Sequence, residues 1–250
     1  MKLASSFPLA VAAAVSLSLA ACGEDKPNGS SGPTSAPSVT ATPTQSAPTD
    51  QPTETGPVKR SKTELTKALL ELKELPSGFS EEKDDPADDG SNPFSAPTSK
   101  CKPLVKLLNA DEAPGSKRSV HRSFSGSQEG PYIDFSLDSM STSKAVRELQ
   151  TSYQDAVASC KKVTMRMDGA GSTQMEVVEI PAPQFGDEPF AFKLTGVSGP
   201  KEGLEFDAAV TGIGDVVLAV GVLAGQPGEL DGATEAAVEK ARTTLSKAGS

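Results

Sequence analysis

Tryptophan is absent from this chain, which also holds two Tyr and one His. Aromatic residues make up 4 % of it, so the stacked ring platforms that bind sugars, bases or quaternary amines are poorly supplied, and nine Phe carry most of the bulk. The single histidine, His121, is all that a Ser-His-Asp triad has to draw on. No Gly-x-Ser-x-Gly elbow presents a nucleophile to it. Basic charge is also short: 24 Lys and Arg stand against 33 Asp and Glu, a net charge of −9. The local basic concentrations, Val58-Lys59-Arg60-Ser61-Lys62 and Lys161-Lys162, are too short to neutralise a row of phosphates, which excludes nucleic acid as an expected partner. Metal and cofactor motifs are missing too, so no cofactor, metal ligand or catalytic residue is assigned.

Long apolar runs are missing except at the amino terminus. From Phe7 to Ala20 the chain is apolar but interrupted by Pro8 and several Ser, and it falls short of the roughly 20 residues that span hydrocarbon. It begins with Lys2 and ends in Leu19-Ala20-Ala21-Cys22, which resembles the lipobox of bacterial lipoproteins. That resemblance implies thioether lipidation of Cys22, cleavage before it and acylation of the new amino terminus. Two or more acyl chains anchor a protein stably, so the lipid on Cys22 suffices to hold the chain at the outer face of the cell membrane.

Between residues 27 and 57 there are seven Pro and twelve Ser or Thr, with Val39 the one large aliphatic residue. Such a segment cannot build a core and reads as a tether, with a reach of roughly 30 Å as a coil and about 90 Å if extended. The expected organisation is therefore a signal peptide at 1–21, lipidated Cys22 with its tether at 22–58, and one extracytoplasmic domain at 59–250.

Within the domain, Ser61-Lys62-Thr63-Glu64 has the form of a capping box, and Leu65, Leu69 and Leu72 follow at helical spacing. A helix is expected over 62–74, stopped by Leu75-Pro76-Ser77-Gly78-Phe79. The acidic run from Glu81 to Asp89 invites a calcium reading, but Pro86 or Ala87 falls where an oxygen ligand is needed, and a solvated loop is the better account. Further helices are expected over 101–108, 142–161 and 232–247. The helix over 142–161 has Val146, Leu149, Tyr153, Val157 and Cys160 on one face. Strands are expected over 119–124, 132–137, 162–167, 173–180, 189–195, 204–211 and 215–223. The last is apolar on both sides of the alternation, the pattern of a central strand. This order predicts an α+β fold: an antiparallel sheet with helices packed mainly on one face.

Lipidation consumes one of the three Cys, leaving Cys101 and Cys160 as an even pair in an oxidising compartment, where a disulfide is expected. Two short motifs have structural readings. Ser141-Thr142-Ser143-Lys144 matches a Ser-x-x-Lys pattern, but Lys-Thr-Gly and Ser-Asp-Asn are absent and a helix cap explains its place. Gly212-x-Gly214 lies between two strands and reads as a turn.

A helix ending in Leu75-Pro76-Ser77-Gly78-Phe79, Cys101 on an early helix, a long helix ending in Cys160, and Gly186-Asp187 leading into a strand form a further pattern. It is similar to the PknH-like extracellular sensor domains of actinobacteria, found on receptor kinases and on free-standing lipoproteins. Those domains commonly carry two disulfides, whereas this chain has Cys for one, and no ligand residue carries over. The resemblance implies a non-catalytic domain that binds a wall component, a lipid or another small extracellular ligand. The alternative is a module that scaffolds an envelope complex through a protein partner.

Overall fold

The computed structural model describes residues 59–82, 92–126, 130–167 and 171–247. Contacts divide the chain into Met1–Asp50 and Gln51–Ser250, and every described residue belongs to the second unit. The signal peptide, Cys22, the tether and most of the acidic run lie outside the described residues.

Helices form at α1 (Lys62–Ala68), α2 (Lys102–Leu108), α3 (Ser143–Ser159) and α4 (Glu229–Lys247). The strands are β1 (Ser80–Glu81), β2 (Phe94–Ser95), β3 (Arg118–Ser125), β4 (Tyr132–Ser139), β5 (Lys162–Met167), β6 (Gly171–Ile180), β7 (Asp187–Ser198), β8 (Glu205–Ile213) and β9 (Val216–Leu223). They pair antiparallel in the order β1-β3-β4-β9-β8-β7-β6-β5-β2. The seven strands expected from the sequence are all present. The two additional ones, β1 and β2, are two residues each and too short to show a period.

β9 explains why the sheet needs cover on both sides. Val216, Leu218, Val220 and Val222 point into one core cluster, and Val217 points into another. Successive strand residues face opposite sides, so a strand that is apolar throughout must be buried twice. The α+β class, the antiparallel sheet and the disulfide are as the sequence indicated. The helices, expected mainly on one face, are instead divided: α1 and α4 pack with the Val216–Val222 set, and α2 and α3 pack on the reverse.

Local chemistry sets the helix ends. Ser61 caps α1 through the Glu64 amide while Glu64 reaches back to the Ser61 amide at 2.7 Å, a complete capping box. Thr142 caps α3 by accepting from the Ala145 amide at 3.1 Å. The first helix is shorter than its periodicity suggested. It ends at Ala68, Leu69 turns extended, and a 3-10 turn follows at Leu72–Glu74. Leu69 and Leu70 are both buried, at 2 % and 3 % exposure, and the Leu70 carbonyl accepts from the Arg122 guanidinium at 2.7 Å. Leaving the helix buries both leucines and places Leu72 at the surface, 40 % exposed.

Where the described chain begins, Arg60 is fastened to the sheet. Its guanidinium donates to both Asp215 carboxylate oxygens, the shortest contact being 2.8 Å, and to the Leu245 carbonyl at 2.9 Å. This one side chain joins the β8–β9 turn to the end of α4.

Candidate functional site

On the side of the sheet that carries α3, the helix lies across β6 to β9. No helix among the described residues covers β3 and β4 there, and a cleft of about 290 Å³ opens over them. Leu149 and Tyr153 of α3 form one wall, and Asp111 and Ala113 of the α2–β3 connection form another. Val217 and Ala219 of β9 supply an apolar floor. The β4 sequence Tyr132-Ile133-Asp134-Phe135-Ser136-Leu137-Asp138 alternates strictly, so Ile133, Phe135 and Leu137 enter the opposite core while Asp134, Ser136 and Asp138 line the cleft.

These three polar residues run from mouth to bottom: Asp134 is exposed, Ser136 half-buried and Asp138 buried at 4 % exposure. One Asp138 oxygen accepts the Ala113 amide at 3.0 Å, which pins the α2–β3 connection over the end of β4. Burial pushes the Asp138 carboxyl above its ordinary value, the Ala113 N–H opposes that shift, and the charge of Glu112 adds to it. Tyr153 stacks on Phe192 with ring centroids 6.5 Å apart. Burial pushes its hydroxyl up to about 12, with the Asp138 charge contributing.

His121 lies on the cleft side of β3, exposed, with Ser136 as its register partner and Val120 and Phe124 turned to the opposite core. Cys101 and Cys160 are bonded, their Cα atoms 4.7 Å apart, joining the start of α2 to the end of α3. Beside this bond runs a broader groove of about 1120 Å³ whose lining includes Lys100, Lys161 and Lys162. The Ser141-x-x-Lys144 pattern is structural, with Thr142 as cap and Lys144 paired to Glu148 at 2.9 Å. Gly214 sits in the β8–β9 turn at φ +62°. Among the described residues no three His, Cys, Asp or Glu converge as they would around a metal ion.

Sequence reasoning did not single out Asp138 or Gln150, and it placed Tyr153 on the inward face of the long helix without assigning it to a site. The alternation of β4 carried the first, since an apolar-polar strand has one face turned away from its helices. Gln150 carries no local signal: it is 1 % exposed and donates to the Asp187 and Glu188 carbonyls, both at 2.7 Å, across the irregular start of β7.

No family model matches the chain, and no curated protein matches it in sequence. Among solved structures, the extracellular domain of PknH from Mycobacterium tuberculosis aligns with a TM-score of 0.56 at 17 % identity, covering 75 % of this chain and 98 % of that one. The likeness is one of fold. The residues that suggested it from sequence have structural work here. Gly78 takes φ +106° on the way into β1, and Phe79 packs against the core. Gly186 takes φ +85°, where a Cβ would overlap the Thr211 hydroxyl. That hydroxyl donates to the Phe185 carbonyl at 2.9 Å, closing the turn into β7.

Proposed function

We propose that this chain is a non-catalytic, sensor-type extracytoplasmic domain held at the cell membrane by a lipidated Cys22, with the cleft between β4 and α3 as its ligand site. The observation that carries the reading is the fold shared with an extracellular domain over 98 % of that domain's length. A fold does not itself specify an activity. The cleft adds the concave, partly apolar space with a few convergent polar groups that small-molecule sites require. The Leu19-Ala20-Ala21-Cys22 motif supports the anchor, and the Pro/Ser/Thr-rich segment after it supports a tether.

Fractionation of cells fed an alkyne fatty acid tests the anchor: the wild-type chain is expected in membranes and labelled, and Cys22→Ala is expected to lose both properties. A mature, unlabelled Cys22→Ala protein that still sediments with membranes would refute it. Native mass spectrometry of protein drawn from native membranes is expected to reveal a bound small molecule. Repeatedly empty preparations, with no compound shifting the melting temperature, would end the ligand reading.

The second reading, an envelope interaction module, draws on the broad groove beside the disulfide. Its three lysines stand out on a chain of net charge −9. A crosslinker placed at Lys161 that captured one defined envelope protein would favour it.

A further inference from the structure

The helical layer that carries α2 and α3 is basic, on a chain whose net charge is −9. Residues 97–108, which form the 3-10 turn Ser99–Cys101 and α2, hold Lys100, Lys102 and Lys106 and no carboxylate. Residues 143–162, which form α3 and the start of β5, hold Lys144, Arg147, Lys161 and Lys162 against Glu148 and Asp155. Two adjoining hollows open in this layer. The broad groove of about 1120 Å³ is lined by Lys100, Lys161 and Lys162, by Ser99 and Ser159, and by one acidic residue, Asp155. Among the described residues no ion pair engages any of these three lysines. The other hollow, of about 380 Å³, is lined mainly by apolar side chains, Leu107, Pro114, Met140 and Leu149 among them, with Lys106 and the Lys144-paired Glu148 also present. Pro103 and Ser152 line both, so the basic groove leads into the apolar one. The disulfide joins the two walls, because Cys101 stands at the start of α2 and Cys160 at the end of α3. A site whose walls are fixed beforehand loses less freedom on binding.

We propose that this pair of hollows is a second binding site, apart from the cleft over β4, and that it takes an anionic amphiphile: a phosphate head on an alkyl chain. The head accepts from the ammonium groups of Lys100, Lys161 and Lys162 and from the neighbouring serine hydroxyls, since a phosphate offers several acceptor oxygens and an ammonium offers donors alone. The chain lies along Leu107, Met140 and Leu149, where burial of its apolar surface adds to the binding. Neither half selects this ligand alone. The lysines would serve any anion, and the apolar half would serve any hydrocarbon. Their common wall at Pro103 and Ser152 favours both on one molecule. A flat anionic bilayer would meet the lysines without using the hollows, and a run of acidic residues would leave the apolar half empty.

The test uses the full chain carrying Cys22→Ala, so that no acyl chain of its own competes. Calorimetric titrations compare octyl phosphate, octanol, octyltrimethylammonium and inorganic phosphate, each alkyl probe below its micelle-forming concentration. Octyl phosphate is expected to bind saturably and to weaken as salt is raised. The other three are expected to bind at least about tenfold more weakly. Lys161→Ala/Lys162→Ala is expected to weaken octyl phosphate by about tenfold or more, the loss that follows from removing charged partners. Ser152 is an exposed α3 residue on the common wall, where a good helix former leaves folding intact. Ser152→Gln is expected to weaken binding by obstruction, and Ser152→Glu to weaken it further by adding a like charge. Lys201→Ala, between β7 and β8, and Asp138→Asn, in the cleft over β4, are expected to leave binding unchanged. A loss on Asp138→Asn matching that of the lysine variant would put the ligand in that cleft and overturn the second site. Inorganic phosphate binding as tightly as octyl phosphate would overturn the amphiphile, and octanol or octyltrimethylammonium doing so would overturn the basic end. Indifference to the lysine and Ser152 variants, or no binding of octyl phosphate while anionic vesicles or a poly-glutamate peptide bind, would overturn the proposal, as would no binding of any probe.

Discussion

Single side chains in this protein settle local accounts that no segment average reveals. Gln150 satisfies two carbonyls at the start of β7, where Glu188 adopts φ +48°, so a residue in the middle of α3 serves the sheet rather than the helix. Asp138 has the clearest consequence for stability. Its carboxyl is held above the ordinary value of 3.8 by burial. The folded protein therefore keeps that proton to a higher pH than the unfolded chain does, and this group's contribution to stability declines as pH climbs from the ordinary value through the raised one. Asp138→Asn retains an oxygen for the Ala113 amide and cannot ionise. Its urea midpoint at neutral pH is expected to equal or exceed that of the wild type, with the decline across that pH range flattened. A strongly lowered midpoint would show that the ionised carboxylate is what holds the α2–β3 connection in place.

Elements were legible from sequence to the degree that their hydrophobic pattern was longer than one period. The long helix α3 and the seven longer strands meet that condition. α1 departs from its pattern: the helix ends at Ala68, and Leu69 and Leu70 are both buried in the extended segment that follows, a packing that the spacing of Leu65, Leu69 and Leu72 does not signal. Contacts that join distant elements were out of reach, and the Arg60–Asp215 pair is the main example. Both side chains are nearly buried, at 11 % and 8 % exposure, and they link the start of α1 to the β8–β9 turn. Removing one partner of such a pair strands the other charge, so Arg60→Leu and Asp215→Leu are each expected to cost about 3 kcal/mol in chemical unfolding. The double variant is expected to cost clearly less than the two losses combined. Additive losses would show that the two groups do not act as a pair.

For the whole molecule, the governing fact is the offset of its two helical layers. α1 and α4 cover one stretch of the sheet from one side, and α2 and α3 cover an overlapping but shifted stretch from the other. The cleft lies where the α3 layer stops short. The disulfide also acts at this scale, because its effect falls on the unfolded chain as a whole. With a sequence separation of 59 between Cys101 and Cys160, closure of that loop contributes about 4 kcal/mol in the chain-entropy account. The Cys101→Ala/Cys160→Ala chain is expected to unfold at correspondingly lower urea while keeping its far-ultraviolet circular dichroism. An unchanged midpoint would show that the crosslink does not restrict the unfolded ensemble.

What the sequence by itself determined is local or compositional. It marks which segments alternate and with what period, where helices are capped, which two Cys remain to pair, and the lipobox-like address at Cys22 on which the proposed anchor rests. The tertiary structure alone decided which faces those segments share. It split the helices across both sides of the sheet, broke α1, and brought Asp138, His121 and Tyr153 to one cleft from β4, β3 and α3. The physical reason is that period and capping depend on neighbours a few residues away, whereas a binding site depends on which surfaces remain uncovered after every apolar face has found its partner.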